Sequence, residues 1–284
     1  MTIENTCEVC GSTDFRTILD YPMAEARDCS YAECDHCKLV RVINGPPIFD
    51  YSDAGYLETL TRQAINGTRL WEWTVEQIHH HRQPGVLIEV GCGVGAQLAV
   101  ASHQGWQASG YELNPLCADI AELLYRVDIK RDDFLQRPET HDCDVVLMNQ
   151  FIEHVPDPKP FLKSSRQALK PGGIIVMSTP NWNFASLPVT LKQRYGTSLP
   201  RTDHIQPTQH IRLYRPQTME VLAKEMGLKV VEIKENPTDF LGKRCGLSAR
   251  RLIGHTTRLL EKFSQHKLQF GVNMMVIMRA AEAD

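Results

Sequence analysis

The chain has 284 residues, of which 42% are hydrophobic and 23% charged, with a formal net charge of -3. That size fits one main folded domain with an appendage, and the charge balance argues against a polyanionic partner such as nucleic acid. The N-terminus, Met1 to Ser12, has no basic stretch followed by an apolar one, and no apolar run approaches the roughly 20 residues that span a bilayer. We therefore expect a cytoplasmic protein with no membrane span. In that compartment the nine cysteines serve as thiols or metal ligands rather than disulfides.

Five of the cysteines fall within the first 37 residues. Cys7-x2-Cys10 and Cys34-x2-Cys37 form two knuckles separated by 23 residues. Four thiolates at this spacing can close a tetrahedral metal site, and Zn2+ is the metal expected. Cys29 is left over as a spare thiol. We predict a zinc-ribbon-like module over residues 1–45, ended by Asn44-Gly45-Pro46-Pro47. The charges around it are mixed, which does not favour phosphate binding.

Apolar residues at helical spacing between Tyr56 and His81 predict helices that link the module to the rest, with residues 46–83 as a linker or substrate cap. The chain then alternates. Predicted strands are 86–90, 107–112, 127–129, 144–148 and 174–178. Helices are expected from Ala96 to Gln104, Asn114 to Tyr125 and Pro158 to Leu169. This pattern predicts a parallel sheet covered by helices on both faces, an α/β fold. Residues 180–216 are irregular and rich in aromatics and prolines. A helix from Arg215-Pro216 to Gly227, a strand 229–234, a helix 248–264 and a strand 274–279 close the pattern.

Gly91-Cys92-Gly93-Val94-Gly95 sits between a strand and a helix, where glycines let a ligand approach the backbone and the helix N-terminus offers free N–H groups. Alone it also fits dinucleotide binding. Glu112, 21 residues after Gly91, can accept two ribose hydroxyls. Glu89, two residues before Gly91, would oppose a pyrophosphate but suits a cofactor carrying an amino group and a sulfonium. That combination argues against a nicotinamide dinucleotide.

These segments resemble those of the class I S-adenosylmethionine-dependent methyltransferases. Ile88 to Gly95 is similar to their first motif, and Gly110-Tyr111-Glu112 to the acidic end of their second strand. Asp133-Phe134 matches their adenine contact, Asn149 to Val155 the segment after their fourth strand, and Leu169 to Gly173 the turn before their fifth. The resemblance implies a Rossmann-like seven-stranded sheet of order 3-2-1-4-5-7-6 over residues 84–284, the last strand antiparallel and formed by Met274–Arg279. It implies that S-adenosylmethionine is held by Glu89, Gly91, Gly93, Gly95, Glu112, Leu113, Asp133, Phe134 and Asn149.

Methyl transfer needs a base only if the acceptor carries a proton of high pKa. His154 is the first candidate base, and Glu153 beside it is expected to face solvent or cap the next helix. His204 and His210, with Asp203, Tyr195, Arg212 and Tyr214, form a second candidate cluster in a substrate lid at 180–216. Trp182 and Phe184 could wall a pocket; Trp71 and Trp73 read rather as core. A four-cysteine module before such a core also resembles sugar C-methyltransferases, whose large C-terminal domain has no counterpart here. The expected acceptor is a small molecule, in specialised or sugar metabolism. Methylation of RNA or protein, or a use of the cofactor other than methyl transfer, stays open. Two roles are open for the cysteine module, covering the cleft or mediating a homodimer.

Overall fold

The computed structural model describes residues 6–21, 29–44, 57–58, 60–61, 64, 67–186, 209–235 and 273–281. Its strands are β1 (Phe15–Tyr21), β2 (Cys29–Cys34), β3 (Val40–Asn44), β4 (Val86–Val90), β5 (Gln107–Tyr111), β6 (Asp128–Lys130), β7 (Cys143–Asn149), β8 (Leu169–Pro180), β9 (Arg212–Leu213), β10 (Leu228–Glu235) and β11 (Asn273–Ala280). The helices are α1 (Thr68–His79), α2 (Ala96–His103), α3 (Pro115–Ile120), α4 (Lys159–Ala168), α5 (Trp182–Ala185) and α6 (Pro216–Glu225).

Seven strands form one sheet in the order β10-β11-β8-β7-β4-β5-β6. Its core pairs are parallel, and β11 runs antiparallel to both β8 and β10. In chain-order terms this is the 3-2-1-4-5-7-6 arrangement expected, read from the other edge. The central strands are continuous apolar runs because both faces are covered. Their side chains divide by the two-residue period. Ile88, Val146, Met148, Ile175 and Met177 point into one core, with Leu162 of α4 and Met219 and Leu222 of α6. Leu87, Val145, Leu147, Ile174 and Val176 point into the other, against Val75 and Ile78 of α1 and Leu98 and Ala101 of α2.

The helix edges follow local chemistry. Asn114 caps α3 by accepting from the amides of Leu116 and Cys117, with Pro115 at the first helical position. The helix continues into a π-helical turn over Ala121–Tyr125. The predicted turn Lys170 to Gly173 is part of a longer β8, with the register slipping between Cys143 and Val145.

The cysteine-rich module is not built from its own residues alone. Its sheet has the order β1-β2-β3-β9, so a strand from beyond residue 209 completes it. Val40 pairs with Leu213 and Arg41 with Arg212. Thr218 donates to the Cys37 carbonyl at 2.9 Å, and Arg215 holds the buried Glu33 carboxylate at 2.5 Å. Cys7, Cys34, Cys37 and Leu39 share one apolar cluster with Tyr214 and Met219. Before α1, Leu57, Glu58, Leu60, Thr61 and Ala64 are helical, and Leu57, Leu60 and Ala64 pack on Val94 and Cys117. The helix expected at 248–264 lies outside the described residues. Among the described residues, no helix is long and apolar enough to cross a membrane.

Candidate active site and cysteine centre

The Gly-rich turn leaves the C-terminal end of β4, where open α/β sheets place ligands. Gly91, Gly93 and Gly95 have φ of +67°, +53° and +73°, the left-handed region that glycine tolerates without a Cβ penalty. Space forbids side chains as well. A Cβ on Gly91 would lie 2.5 Å from Cδ2 of Phe151, and one on Gly95 2.7 Å from the Ala121 Cβ. The turn is therefore flanked by the segment that follows β7 and covered by Leu60, which approaches Gly93.

Glu112 follows β5 and faces the turn. Its carboxylate accepts from the Gly93 amide at 2.8 Å and the Asn114 amide at 2.7 Å. Burial still pushes its carboxyl above the ordinary range, because the backbone bonds only partly offset desolvation. Glu89 on β4 is almost fully buried. Burial, reinforced by the Glu112 charge, raises its carboxyl well above normal, and its Oε2 has no hydrogen-bond partner. Asn149, at the end of β7, donates to Oε1 of Gln97 at 2.6 Å. Gln97 is also buried, and its Nε2 has no partner. A bare glycine turn with orphaned buried polar atoms beside it suits a polar ligand that completes them.

The remaining expected cofactor residues are arranged less uniformly. Leu113 is exposed on the lip beside Glu112. Asp133 caps the short turn Phe134–Gln136 by accepting from the Leu135 amide. Phe134 is buried and meets Tyr111 edge-on, with ring centroids 5.2 Å apart.

His154 ends a single helical turn after β7. Its Nδ1 lies 2.9 Å from the Gln209 carbonyl. A carbonyl only accepts, so Nδ1 carries the proton and a neutral ring holds its lone pair on Nε2. Burial lowers the His154 pKa and favours that neutral form. His210 stands beside it with ring centroids 5.1 Å apart. Glu153 contradicts the expectation of a solvent-facing side chain. It is fully buried, and burial lifts its pKa to about 8. The three-residue turn drives Glu153 inward, toward Thr179 of β8.

The second cluster expected from sequence divides. His210 joins His154, whereas Tyr214 is buried and donates its hydroxyl to the Ile152 carbonyl, and Arg212 pairs with Glu8. Both are framework residues rather than lid residues. His204, Asp203 and Tyr195 lie outside the described residues. Trp182 is buried against Tyr31 of the cysteine module, with centroids 6.2 Å apart, so it supports the module rather than an open pocket. Trp73 packs on the core, while Trp71 lines a groove of about 310 Å³ with Tyr125 and His103. Sequence reasoning missed Gln97 and Phe151, because neither residue type marks a site without its neighbours in space.

The four knuckle cysteines converge. Cys7 and Cys37 Sγ atoms are 3.5 Å apart, Cys10 and Cys34 3.6 Å, and all four lie within 4.8 Å of one another. Zinc–sulfur bonds of about 2.3 Å in a tetrahedron need sulfur–sulfur edges of about 3.8 Å, so the thiols already have the dimensions of a mononuclear site. The Cys37 thiol beside Cys7 lowers the Cys7 pKa. Burial lowers the Arg41 pKa, and the nearby Cys7 and Cys34 sulfurs partly offset this. Cys29 is buried apart from the four, and burial pushes its thiol up to about 11.

A seven-stranded sheet of this order, with a glycine turn after its first strand and an acidic residue after its second, defines a class I S-adenosylmethionine-dependent methyltransferase. Comparison with known proteins agrees. The model of the family described as "Methyltransferase domain" matches residues 62–233, more than half of the chain, and the chain belongs to that family. A ubiquinone biosynthesis O-methyltransferase of Burkholderia pseudomallei is 30% identical over 179 residues, covering 60% of this chain and 75% of that protein. Among solved structures, a SAM-dependent methyltransferase from Archaeoglobus fulgidus superposes with a TM-score of 0.53 at 18% identity, over 80% of this chain and 99% of that one. A 1,6-didemethyltoxoflavin-N1-methyltransferase from Burkholderia thailandensis gives 0.51 at 15% identity, over 92% and 98%. These two likenesses concern the fold.

Proposed function

We propose that this methyltransferase acts on a small-molecule acceptor whose reacting atom carries a proton, and that His154 removes that proton. The observation that carries this reading is the setting of His154, whose Nδ1–H donates to the Gln209 carbonyl while burial lowers the ring's pKa toward the neutral form a general base requires. His210 beside it would hold the acceptor's polar group. When bound, S-adenosylmethionine supplies the electrophilic methyl group. Glu89, Gly91, Gly93, Gly95 and Asn149 would hold its methionine end, Glu112 its ribose, and Leu113, Asp133 and Phe134 its adenine. Orientation by these residues carries much of the rate gain, up to about 7–11 kcal/mol in well-aligned systems. The similarity to a ubiquinone biosynthesis O-methyltransferase supports the acceptor class. Specialised or sugar metabolism in the cytoplasm is the setting we propose.

The four cysteines would bind one zinc, closed by Cys7, Cys10, Cys34 and Cys37. Because β9 completes the module's sheet and follows His210 directly, the module would brace the acceptor side of the cleft. Dimerisation would be a second use of the same module.

The test is transfer of labelled methyl groups to separate pools of small hydroxylated and amine metabolites, RNA and protein. Label is expected in the small-molecule pool, and His154→Ala should reduce its rate. Label confined to RNA or protein would contradict the acceptor class.

A further inference from the structure

Gln97 occupies the first turn of α2, directly after the glycine turn. Its side chain is 3% exposed, an unusual place for an amide on a helix whose neighbours Leu98 and Ala101 are plain core. Asn149 fixes one end of it, donating from Nδ2 to Oε1 at 2.6 Å. That contact aims Nε2 away from Asn149, and Nε2 finds no acceptor in the protein. A buried donor left unmade costs about 1–3 kcal/mol, so such an atom calls for an explanation.

Glu89 carries the complementary orphan. It is likewise 3% exposed, it lies on β4 just before the same turn, and its Oε2 has no donor. The two orphans do not bond to each other. One buried acceptor and one buried donor, on either side of a turn with glycine at three of its five positions, match an α-amino acid zwitterion. The ammonium donates and the carboxylate accepts.

We propose that Gln97 is a cofactor-binding residue, its Nε2 donating to the carboxylate of the cofactor's amino-acid end while Asn149 holds the amide in that orientation. The inference rests on reading the Gly91–Gly95 cleft as the cofactor site. It assigns Asn149 a second task, that of orienting Gln97. It also divides the amino-acid end between two residues, with Glu89 facing the ammonium.

Calorimetry with two ligands tests it. S-adenosylhomocysteine has the amino-acid end; 5′-methylthioadenosine lacks it. Gln97→Leu should weaken S-adenosylhomocysteine at least about tenfold, the worth of one hydrogen bond to a charged group, and leave methylthioadenosine binding unchanged. Gln97→Glu should weaken S-adenosylhomocysteine further, because two carboxylates would then face each other. Equal losses for both ligands would mean that Gln97 only supports the fold, and would overturn the proposal. So would unaltered S-adenosylhomocysteine binding in either variant. Should Gln97→Leu fail to fold, Gln97→Met makes the same comparison. A wild-type protein that binds neither ligand would instead remove the reading of the cleft itself.

Discussion

Replacing Glu112 by alanine separates cofactor recognition from the fold most cleanly. In the structure its two oxygens already accept from the Gly93 and Asn114 amides, at 2.8 and 2.7 Å. Each carboxylate oxygen can accept again, so the pair can take both ribose hydroxyls without giving up the backbone. A hydrogen bond to a charged group is worth about 1.5–3 kcal/mol, and two give about 3 kcal/mol at the lower end. The Gly93 and Asn114 amides, freed in the variant, can regain water or ligand contacts and return part of this. A net loss of about 1.4–3 kcal/mol corresponds to roughly 10- to 150-fold weaker binding. Titration calorimetry with S-adenosylhomocysteine on folded wild type and variant reads this directly. Glu112→Gln should fall between them, since it keeps one acceptor. Unchanged affinity in Glu112→Ala would refute the placement of the ribose at the end of β5.

Gly91→Ala should abolish cofactor binding and lower stability by about 1–3 kcal/mol, because φ is +67° and the new Cβ meets Phe151 at 2.5 Å; thermal unfolding with and without S-adenosylhomocysteine checks both. Metal analysis should find about one zinc per chain. Cys37→Ser should lose the metal and expose the Leu213 amide to hydrogen exchange, since among the described residues β9 pairs with β3 alone; protection retained there would show that the module does not brace the acceptor side. Glu153 carries a pH signature. Its folded pKa of about 8 lies above the usual 4.5, so the folded state holds more protons between those values and stability declines as pH rises through that window, by up to about 1.4 kcal/mol per unit. Glu153→Gln should flatten that slope in urea unfolding at pH 5, 6.5 and 8, and an unaltered slope would place the titrating group elsewhere. For catalysis, kcat/KM should drop only below pH 6.5, where His154 gains its proton, and His154→Ala should remove that limb of the profile.

Periodicity carried most of the fold. Central strands such as Val145–Met148 are apolar on both faces and bounded by turns, so β4, β5, β7 and β11 were legible to within a residue or two. The glycine turn and the two cysteine knuckles were legible because their residue types are rarely used otherwise at that spacing. What failed depended on tertiary contacts. Glu153 looked like a solvent residue because a charged side chain after a strand usually is, yet the tight turn before Val155 buries it. Arg212 and Tyr214 looked like lid chemistry because their partners, Glu8 and the Ile152 carbonyl, lie far away in sequence. The joining of β9 to the cysteine module could not be seen in a two-residue strand. Gln97 sat unnoticed in a helical run, since only its burial and its orphaned Nε2 give it meaning.

A crystal structure of the complex with S-adenosylhomocysteine tests the arrangement as a whole. The ribose hydroxyls should rest on Glu112, the amino-acid end should lie between Glu89 and Gln97, and the sulfur should face the side of the turn that carries His154. A cofactor seated elsewhere, or a sulfur turned away from His154, would contradict the assignment of donor and acceptor to the two sides of the Gly91–Gly95 turn.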